Sequence, residues 1–232
     1  MHLLSTLFLV IQCLHALANV EKTIFTAPEH VPIPRDAAID NLLLYSLNPA
    51  RLKIRKYLNA SFPSDDKPHG EESWALLEGL RPGQRYELRV CWLATQPTVF
   101  RLDTYTMAES FETSGLISSL STYSYSRRDA LAESDVNELV ASKYVPSAGA
   151  DNTSLLFLRI QAAADYFSLN KTLMEIVPPV HVDLILDPYL LNVFPRSLVP
   201  TAIYIAIIAF FSWFLADRSN GVERASARKK LL

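Results

Sequence analysis

Short segments in which apolar and polar residues alternate make up much of the chain between residues 42 and 186. Alternation with a period of two is typical of half-buried strands, and prolines and glycines separate the segments. We therefore predict a mainly β domain with strands at residues 42–47, 51–58, 73–77, 86–94, 98–105, 155–162 and 180–186.

Two stretches between these strands lack the alternation. Residues 110–126 are rich in Ser, Thr and Tyr, and we expect a long loop in which Leu116, Ile117 and Leu120 could dock one helical turn. Residues 128–144 place apolar side chains on one face beside acidic ones, which predicts a short amphipathic helix. Such a helix could cover a sheet edge or face a partner.

Near the C-terminus, residues 198–216 form a long apolar run without any charge. At about 1.5 Å per residue the run gives a helix of roughly 28 Å, which is close to the hydrocarbon thickness of a bilayer. A buried core helix would normally show a polar stripe, and this run has none. We therefore predict one transmembrane helix at residues 198–216.

The first eighteen residues have the features of a cleavable signal peptide. An apolar run at residues 3–14 precedes Ala16 and Ala18, whose small side chains suit a signal peptidase. We expect removal of residues 1–18. An uncleaved anchor is the alternative, but about a dozen apolar residues are too few to span a bilayer.

The basic tail at residues 217–232 predicts the orientation of the protein. It carries an excess of about three positive charges, which the positive-inside rule places in the cytosol. Residues 19–187 would then form a lumenal domain of a single-pass type I membrane protein. Polar residues follow the apolar run, which argues against a removable GPI-attachment signal.

Lys229 and Lys230 stand fourth and third from the C-terminus. In a cytosolic tail they resemble the dilysine signal by which coat proteins return membrane proteins to the endoplasmic reticulum. The alternative is that they only add to the charge that stops translocation.

Charge and composition limit the partners of the lumenal region. The whole chain has a formal charge of −2. Without the basic tail about −5 remains on the lumenal side, which argues against nucleic acid or anionic lipid as a lumenal partner. No basic patch is visible in the lumenal sequence, which is long enough for one domain.

Cysteines and glycosylation sequons fit the lumen. Cys13 would leave with the signal peptide, so Cys91 would be the single remaining thiol and no internal disulfide could form. We interpret Cys91 as a small, partly buried strand residue rather than a catalytic or intermolecular thiol. Sequons begin at Asn59, Asn152 and Asn170, and glycosylation would require exposed loops there.

Candidate catalytic residues are few. The chain has no metal-binding histidine spacing, nucleophile elbow, phosphate-binding loop or dinucleotide fingerprint. His181 and Asp183 share one face of a predicted strand and could bind a metal or act as base and orienter, although a hydrogen-bonded structural pair is the simpler interpretation. We therefore predict no catalytic, metal-binding or cofactor-binding residue and no enzyme activity in this chain alone.

The juxtamembrane segment, residues 188–197, contains two prolines and several large apolar residues. The prolines prevent a continuous helix into the bilayer. The apolar residues predict that this segment lies at the membrane interface or against another membrane protein.

The segment LRPGQRYELRV at residues 80–90 is similar to the turn that enters the sixth strand of fibronectin type III domains. There a tyrosine, here Tyr86, binds the backbone upstream through its hydroxyl. The resemblance implies a β-sandwich of fibronectin III or Ig-like type. Residues 94–97 would then turn the chain into the next antiparallel strand. An unrelated hairpin with the same turn chemistry is the alternative.

The longer stretch EGLRPGQRYELRVCWLATQPT at residues 78–98, together with the layout of the whole chain, resembles the fungal co-activator subunit of GPI mannosyltransferase II. The resemblance implies a glycosylated, single-pass protein of the endoplasmic reticulum membrane. It also implies binding to the multi-pass mannosyltransferase that adds the second mannose to GPI precursors, with the catalytic residues in that partner.

Two other functions remain possible from the residues. A p24-like cargo receptor cycling between endoplasmic reticulum and Golgi would share the sandwich, span and basic tail, but no heptad pattern precedes the span. A lumenal hydrolase or transferase is the third interpretation.

Overall fold

The structure, a computed structural model, describes residues 19–29, 39–128, 139 and 154–229. It contains strands β1 (Val20–Thr26), β2 (Tyr45–Leu47), β3 (Lys53–Leu58), β4 (Glu71–Leu80), β5 (Arg85–Trp92), β6 (Thr98–Tyr105), β7 (Ser154–Ala164), β8 (Val180–Leu190) and β9 (Phe194–Pro195). It also contains helices α1 (Met107–Glu112), α2 (Ser114–Arg128), α3 (Lys171–Glu175) and α4 (Val199–Lys229), with 3-10 turns at Ile39–Leu42 and Arg196–Leu198. The chain divides into two compact units, one ending at Leu186 and one beginning at Asp187.

Two sheets form the first unit. The strand order is β1-β5-β8-β3 in the first sheet and β2-β4-β7-β6 in the second sheet. Antiparallel pairing joins β1 to β5, β3 to β8, and β7 to both β4 and β6, whereas β2 runs parallel to β4. The prediction of a mainly β fold with two sheets is confirmed.

The two sheets pack face to face through a shared hydrophobic core. Leu88 and Leu184 of the first sheet belong to the same buried cluster as Leu77, Leu158 and Ile160 of the second sheet. Side chains alternate across a strand, so the core residues of β5, which are Tyr86, Leu88 and Val90, stand two positions apart. Full burial of one such side chain contributes about 1.5–3 kcal/mol relative to exposure.

Every segment predicted as a strand overlaps a strand of the structure. The strand predicted at 42–47 is shorter in the structure, because Leu42 ends the 3-10 turn Ile39–Leu42 and β2 begins only at Tyr45. Strand β1 is absent from the predicted set. It lies at the edge of its sheet and is largely exposed, so its residues carry no clear apolar alternation.

The expected hairpin around residues 94–97 is wrong. Strand β5 belongs to the first sheet and β6 to the second sheet, so this turn carries the chain across the core. The rings of Trp92 and Phe100 pack between the sheets with their centroids 4.8 Å apart. Both strands present an apolar face to the core, and burying both faces favours placing them in opposite sheets.

The loop expected at residues 110–126 is also wrong, because this stretch is helical in α1 and α2. Thr106 and Glu109 form a reciprocal capping box that starts α1. In α2, Leu116 and Leu120 pack with Trp74 of β4 in a second buried cluster. Tertiary packing therefore outweighs the poor helix propensity of the Ser-rich sequence. The amphipathic helix predicted at residues 128–144 lies largely outside the described residues.

In the second unit a hairpin is followed by a long helix. Tyr189 and Leu190 of β8 pair with Pro195 and Phe194 of β9. Among the described residues one helix is long and apolar enough to cross a membrane, at Arg196–Arg218, with mean hydropathy 2.1. Helix α4 continues beyond the predicted span to Lys229.

Candidate functional site

Tyr86 closes the turn that carries the most distinctive motif of the sequence. Its side chain is 2% exposed, and its hydroxyl accepts a hydrogen bond of 3.0 Å from the Arg81 backbone N–H and donates one of 3.1 Å to the Gln84 side chain. Burial raises the pKa of Tyr86. The predicted bond from this hydroxyl to the backbone upstream is confirmed.

Strand β1 reinforces the same turn. The Gly83 N–H donates to the Ala27 carbonyl, and the Ala27 N–H donates to the Gln84 carbonyl, both at 2.9 Å. Gly83 has a φ of 73°, which a residue with a Cβ adopts at a cost. The motif thus has a structural role that its chemistry explains fully.

His181 and Asp183 lie on the outer face of β8, as the alternation predicts, but each has its own partner on β3. Asp183 accepts hydrogen bonds from the Arg55 guanidinium at 2.6 and 2.9 Å, and the Lys53 ammonium lies 2.9 Å from the same carboxylate. The ring of His181 packs against Tyr57, with centroids 4.9 Å apart.

These contacts explain the electrostatics of the pair. Hydrogen bonds from Arg55 make the largest contribution and those from Lys53 the second largest, and together they hold the pKa of Asp183 far below its usual range. The same contact raises the pKa of Arg55. A carboxylate held this firmly by cations is a weak proton acceptor, so the geometry favours a structural role over that of an orienter for His181.

Cys91 borders a cleft of about 210 Å³ beside this pair, between β3, β5 and β8. It is a free, partly buried cysteine. Burial raises the pKa of its thiol, which keeps the thiol in its weakly nucleophilic protonated form. This environment agrees with the interpretation of Cys91 as a strand residue.

The outer face of the first sheet carries more cations than carboxylates. We call it the basic face and define it by Lys22, Lys53, Arg55, Arg85 and Arg89, with Glu87 and Asp183 among them. Each carboxylate contacts two cations: Asp183 contacts those of β3, and Glu87 lies 3.5 Å from Lys22 and 3.4 Å from Arg89.

The basic face corrects the expectation that the lumenal domain has no basic patch. Lys22 and Arg89 stand directly opposite each other on β1 and β5, and like charges in this position destabilise a sheet unless a counter-charge lies between them. Glu87 supplies that charge. The patch was missed because its members are far apart in the sequence and only strand pairing brings them together.

A second, mostly apolar cleft of about 300 Å³ lies in the first unit and is lined in part by Pro97, Tyr166 and Val177. The segment next to it exposes Phe167 by 82% and Leu169 by 92%. Sequence periodicity gave no signal for this cleft, because its lining comes from several short segments that are far apart in the chain.

The modification sites have the following positions. Asn59 and Asn170 are both exposed. Asn170 also caps α3, where its side-chain oxygen accepts a hydrogen bond of 3.0 Å from the Thr172 N–H and leaves the amide nitrogen for a glycan. Asn152 and Lys230 lie outside the described residues, and Lys229 ends α4.

Within residues 19–29, 39–128 and 154–229, no group of three or more His, Cys, Asp and Glu side chains could hold a metal ion. The described part of the chain offers turns, clefts and a charged face. In the described residues the fold is that of a mainly β protein with one helix able to cross a membrane.

Comparison with known proteins gives the family. The family profile described as GPI-mannosyltransferase II co-activator, Pga1, matches residues 8–125, about half of the chain. The chain belongs to this family, and its role lies in GPI-anchor biosynthesis at the endoplasmic reticulum membrane, with a mannosyltransferase complex. No curated protein and no solved structure matches the chain.

Proposed function

We propose that this chain is a non-catalytic accessory subunit of GPI mannosyltransferase II, the enzyme that adds the second mannose to GPI precursors. The observation that carries the proposal is the family match over residues 8–125, which includes the Tyr86 turn and strands β1 to β6. The match favours this function over that of a p24-like cargo receptor.

The proposed arrangement is that of a single-pass type I protein. The signal peptide, residues 1–18, is removed, and the sandwich lies in the lumen with glycans on Asn59, Asn152 and Asn170. The apolar helix crosses the membrane and leaves the basic tail in the cytosol. There Lys229 and Lys230 bind coat proteins that return the complex to the endoplasmic reticulum.

The partner in this proposal is a multi-pass mannosyltransferase that holds the catalytic residues. Ala202, Ala206 and Ala209 lie at spacings of four and three on α4, and small residues on one helix allow close approach of another helix in a membrane. The lumenal sandwich would then contact lumenal loops of the partner and stabilise its active arrangement.

Purification of the full chain in mild detergent tests the partner. Crosslinking followed by mass spectrometry should recover a multi-pass mannosyltransferase with the tagged wild-type chain. The control is a chain whose residues 198–216 are exchanged for an unrelated span, which should recover less. Repeated failure of the wild-type chain to recover such an enzyme contradicts the proposal.

Two further measurements test the non-catalytic role and the topology. Mannose transfer by the partner should rise when this chain is added, while the chain alone should transfer none; transfer by the chain alone contradicts the non-catalytic role. After solubilisation in detergent, glycosidase should increase the mobility of the protein, and in sealed microsomes added protease should remove only the tail. Digestion of the sandwich under these conditions contradicts the topology.

A further inference from the structure

The hairpin that precedes the long helix has an unusual turn. The Val193 N–H donates to the Leu190 carbonyl at 2.9 Å, and the two residues between them, Leu191 and Asn192, have φ values of 51° and 58°. Two successive residues with positive φ are the pattern of type I′ turns, which favour Gly and Asn. Asn192 suits this position, whereas Leu191 adopts a backbone conformation that an aliphatic side chain disfavours.

The same turn presents its apolar side chains outward. Leu191 is 94% exposed and Val193 is 71% exposed, and the flanking Leu190 and Phe194 are each more than one third exposed. A strained backbone with an aliphatic residue at its tip is unfavourable in water, and strain of this kind points to a functional contact. We call residues 190–194 the hairpin tip.

The start of the membrane helix is tied to the same hairpin. The buried Asp187 carboxylate of β8 accepts a hydrogen bond of 3.2 Å from the Ser197 N–H, at the beginning of the segment that could span the membrane. Arg196 is five positions after Leu191, so the tip lies within about 18 Å of the start of the span. With a polar interfacial layer about 5–8 Å thick on each side of the hydrocarbon core, this distance allows the tip to reach the bilayer.

We propose that the hairpin tip is a lipid-binding element, which inserts Leu191 and Val193 into the interfacial layer of the lumenal leaflet. Continuity with the span favours lipid as the occupant. The composition of the tip also favours lipid over a protein partner. The residues that dominate binding at protein–protein interfaces are enriched in Trp, Tyr and Arg, whereas Leu and Val are under-represented among them. The inference rests on the proposed single-pass topology but does not depend on the identity of the partner.

Environment-sensitive fluorescence in a bilayer tests the proposal. The full chain, with both cysteines replaced by alanine, carries one new cysteine labelled with the dye NBD and is reconstituted into phosphatidylcholine vesicles without any partner. The test position is Leu191→Cys. The matched control is Leu169→Cys, a leucine of the first unit with 92% exposure. Ile207→Cys, inside the span, reports whether the helix has inserted.

We expect NBD at position 191 to be at least about twofold brighter than at position 169, and to be quenched by lipids that carry a nitroxide near the headgroup end of the acyl chain. Position 207, at the centre of the span, is tested with lipids that carry the nitroxide near the methyl end of the chain. A water-like signal at both Leu191 and Leu169, with quenching at Ile207, overturns the lipid contact while leaving the topology intact. Absence of quenching at Ile207 overturns the topology and this inference together. If position 191 is protected only after the mannosyltransferase complex is added, the tip binds protein and the proposal is wrong.

Discussion

Replacement of Tyr86 by phenylalanine isolates the hydroxyl that secures the turn between β4 and β5. The variant keeps the buried ring but removes the acceptor of the Arg81 N–H and the donor to Gln84. Loss of a buried hydrogen-bond partner costs about 1–3 kcal/mol. Arg81 is an exposed residue, so we expect the lower end, about 1 kcal/mol, and a decrease in Tm of about 2–4 °C.

Urea and thermal unfolding of the full chain in mild detergent, followed by tryptophan fluorescence, measure this loss. Tyr57→Phe, at a tyrosine that is 70% exposed, is the matched control and should change stability by less than about 0.5 kcal/mol. Equal stability of Tyr86→Phe and wild type refutes the role assigned to the hydroxyl. A loss as large as that of Tyr86→Ala, about 3–5 kcal/mol, refutes it also, because the ring would then have moved.

The same variant has a predicted pH dependence. Burial raises the pKa of Tyr86 in the folded state, so the folded state keeps its proton at pH values where the unfolded chain loses it. Wild-type stability should therefore decrease as the pH rises above about 10, and Tyr86→Phe should lose less over the same range. Identical pH profiles of the two proteins contradict the burial of the hydroxyl.

Three further tests concern Gly70, Asp183 and Asp187. Gly70→Ala places a Cβ 2.0 Å from a backbone oxygen of β7 and should lower the free energy of unfolding by at least about 3 kcal/mol. In Gly83→Ala the new Cβ meets no atom within 4 Å, so this control should lose only about 1–2 kcal/mol, because of its positive φ. Equal losses of the two variants in urea unfolding contradict this contrast. The pKa of Asp183 is lower in the folded protein than in the unfolded chain, so its ionised carboxylate stabilises the fold fully above about pH 4 and progressively less below it. Asp183→Asn lacks this carboxylate and should therefore lose less stability than wild type as the pH falls below about 4. Asp187→Ala should speed hydrogen exchange at the start of the membrane helix by about fivefold, the equivalent of about 1 kcal/mol; unchanged exchange there shows that the Asp187 cap contributes little.

Local sequence accounts for much of the fold. Strand β6 has the bounds that alternation predicts, and the turn before Tyr86 has the predicted bond, because both depend on residues that are neighbours in the chain. The apolar run at residues 198–216 likewise predicts a helix that could cross a membrane, because its length and lack of charge suit a bilayer.

Other features depend on residues that the sequence separates. Helix α2 forms from a Ser-rich stretch because Leu116 and Leu120 find a buried site against β4. The placement of β5 and β6 in different sheets goes with the packing of Trp92 against Phe100 between those sheets. The sequence of the turn alone does not distinguish a hairpin from a crossing between sheets.

The candidate surfaces divide in the same way. By itself the sequence determined the mainly β content, the membrane helix, the Tyr86 turn and the resemblance to the co-activator family, because each depends on composition or spacing along a short segment. Tertiary structure alone decided the basic face, where Arg55 meets Asp183 across 128 positions of sequence, and the strained Leu191 at the hairpin tip. The physical reason is that strand register, and not sequence distance, sets which charges meet, while the backbone conformation of a turn depends on the strands that flank it.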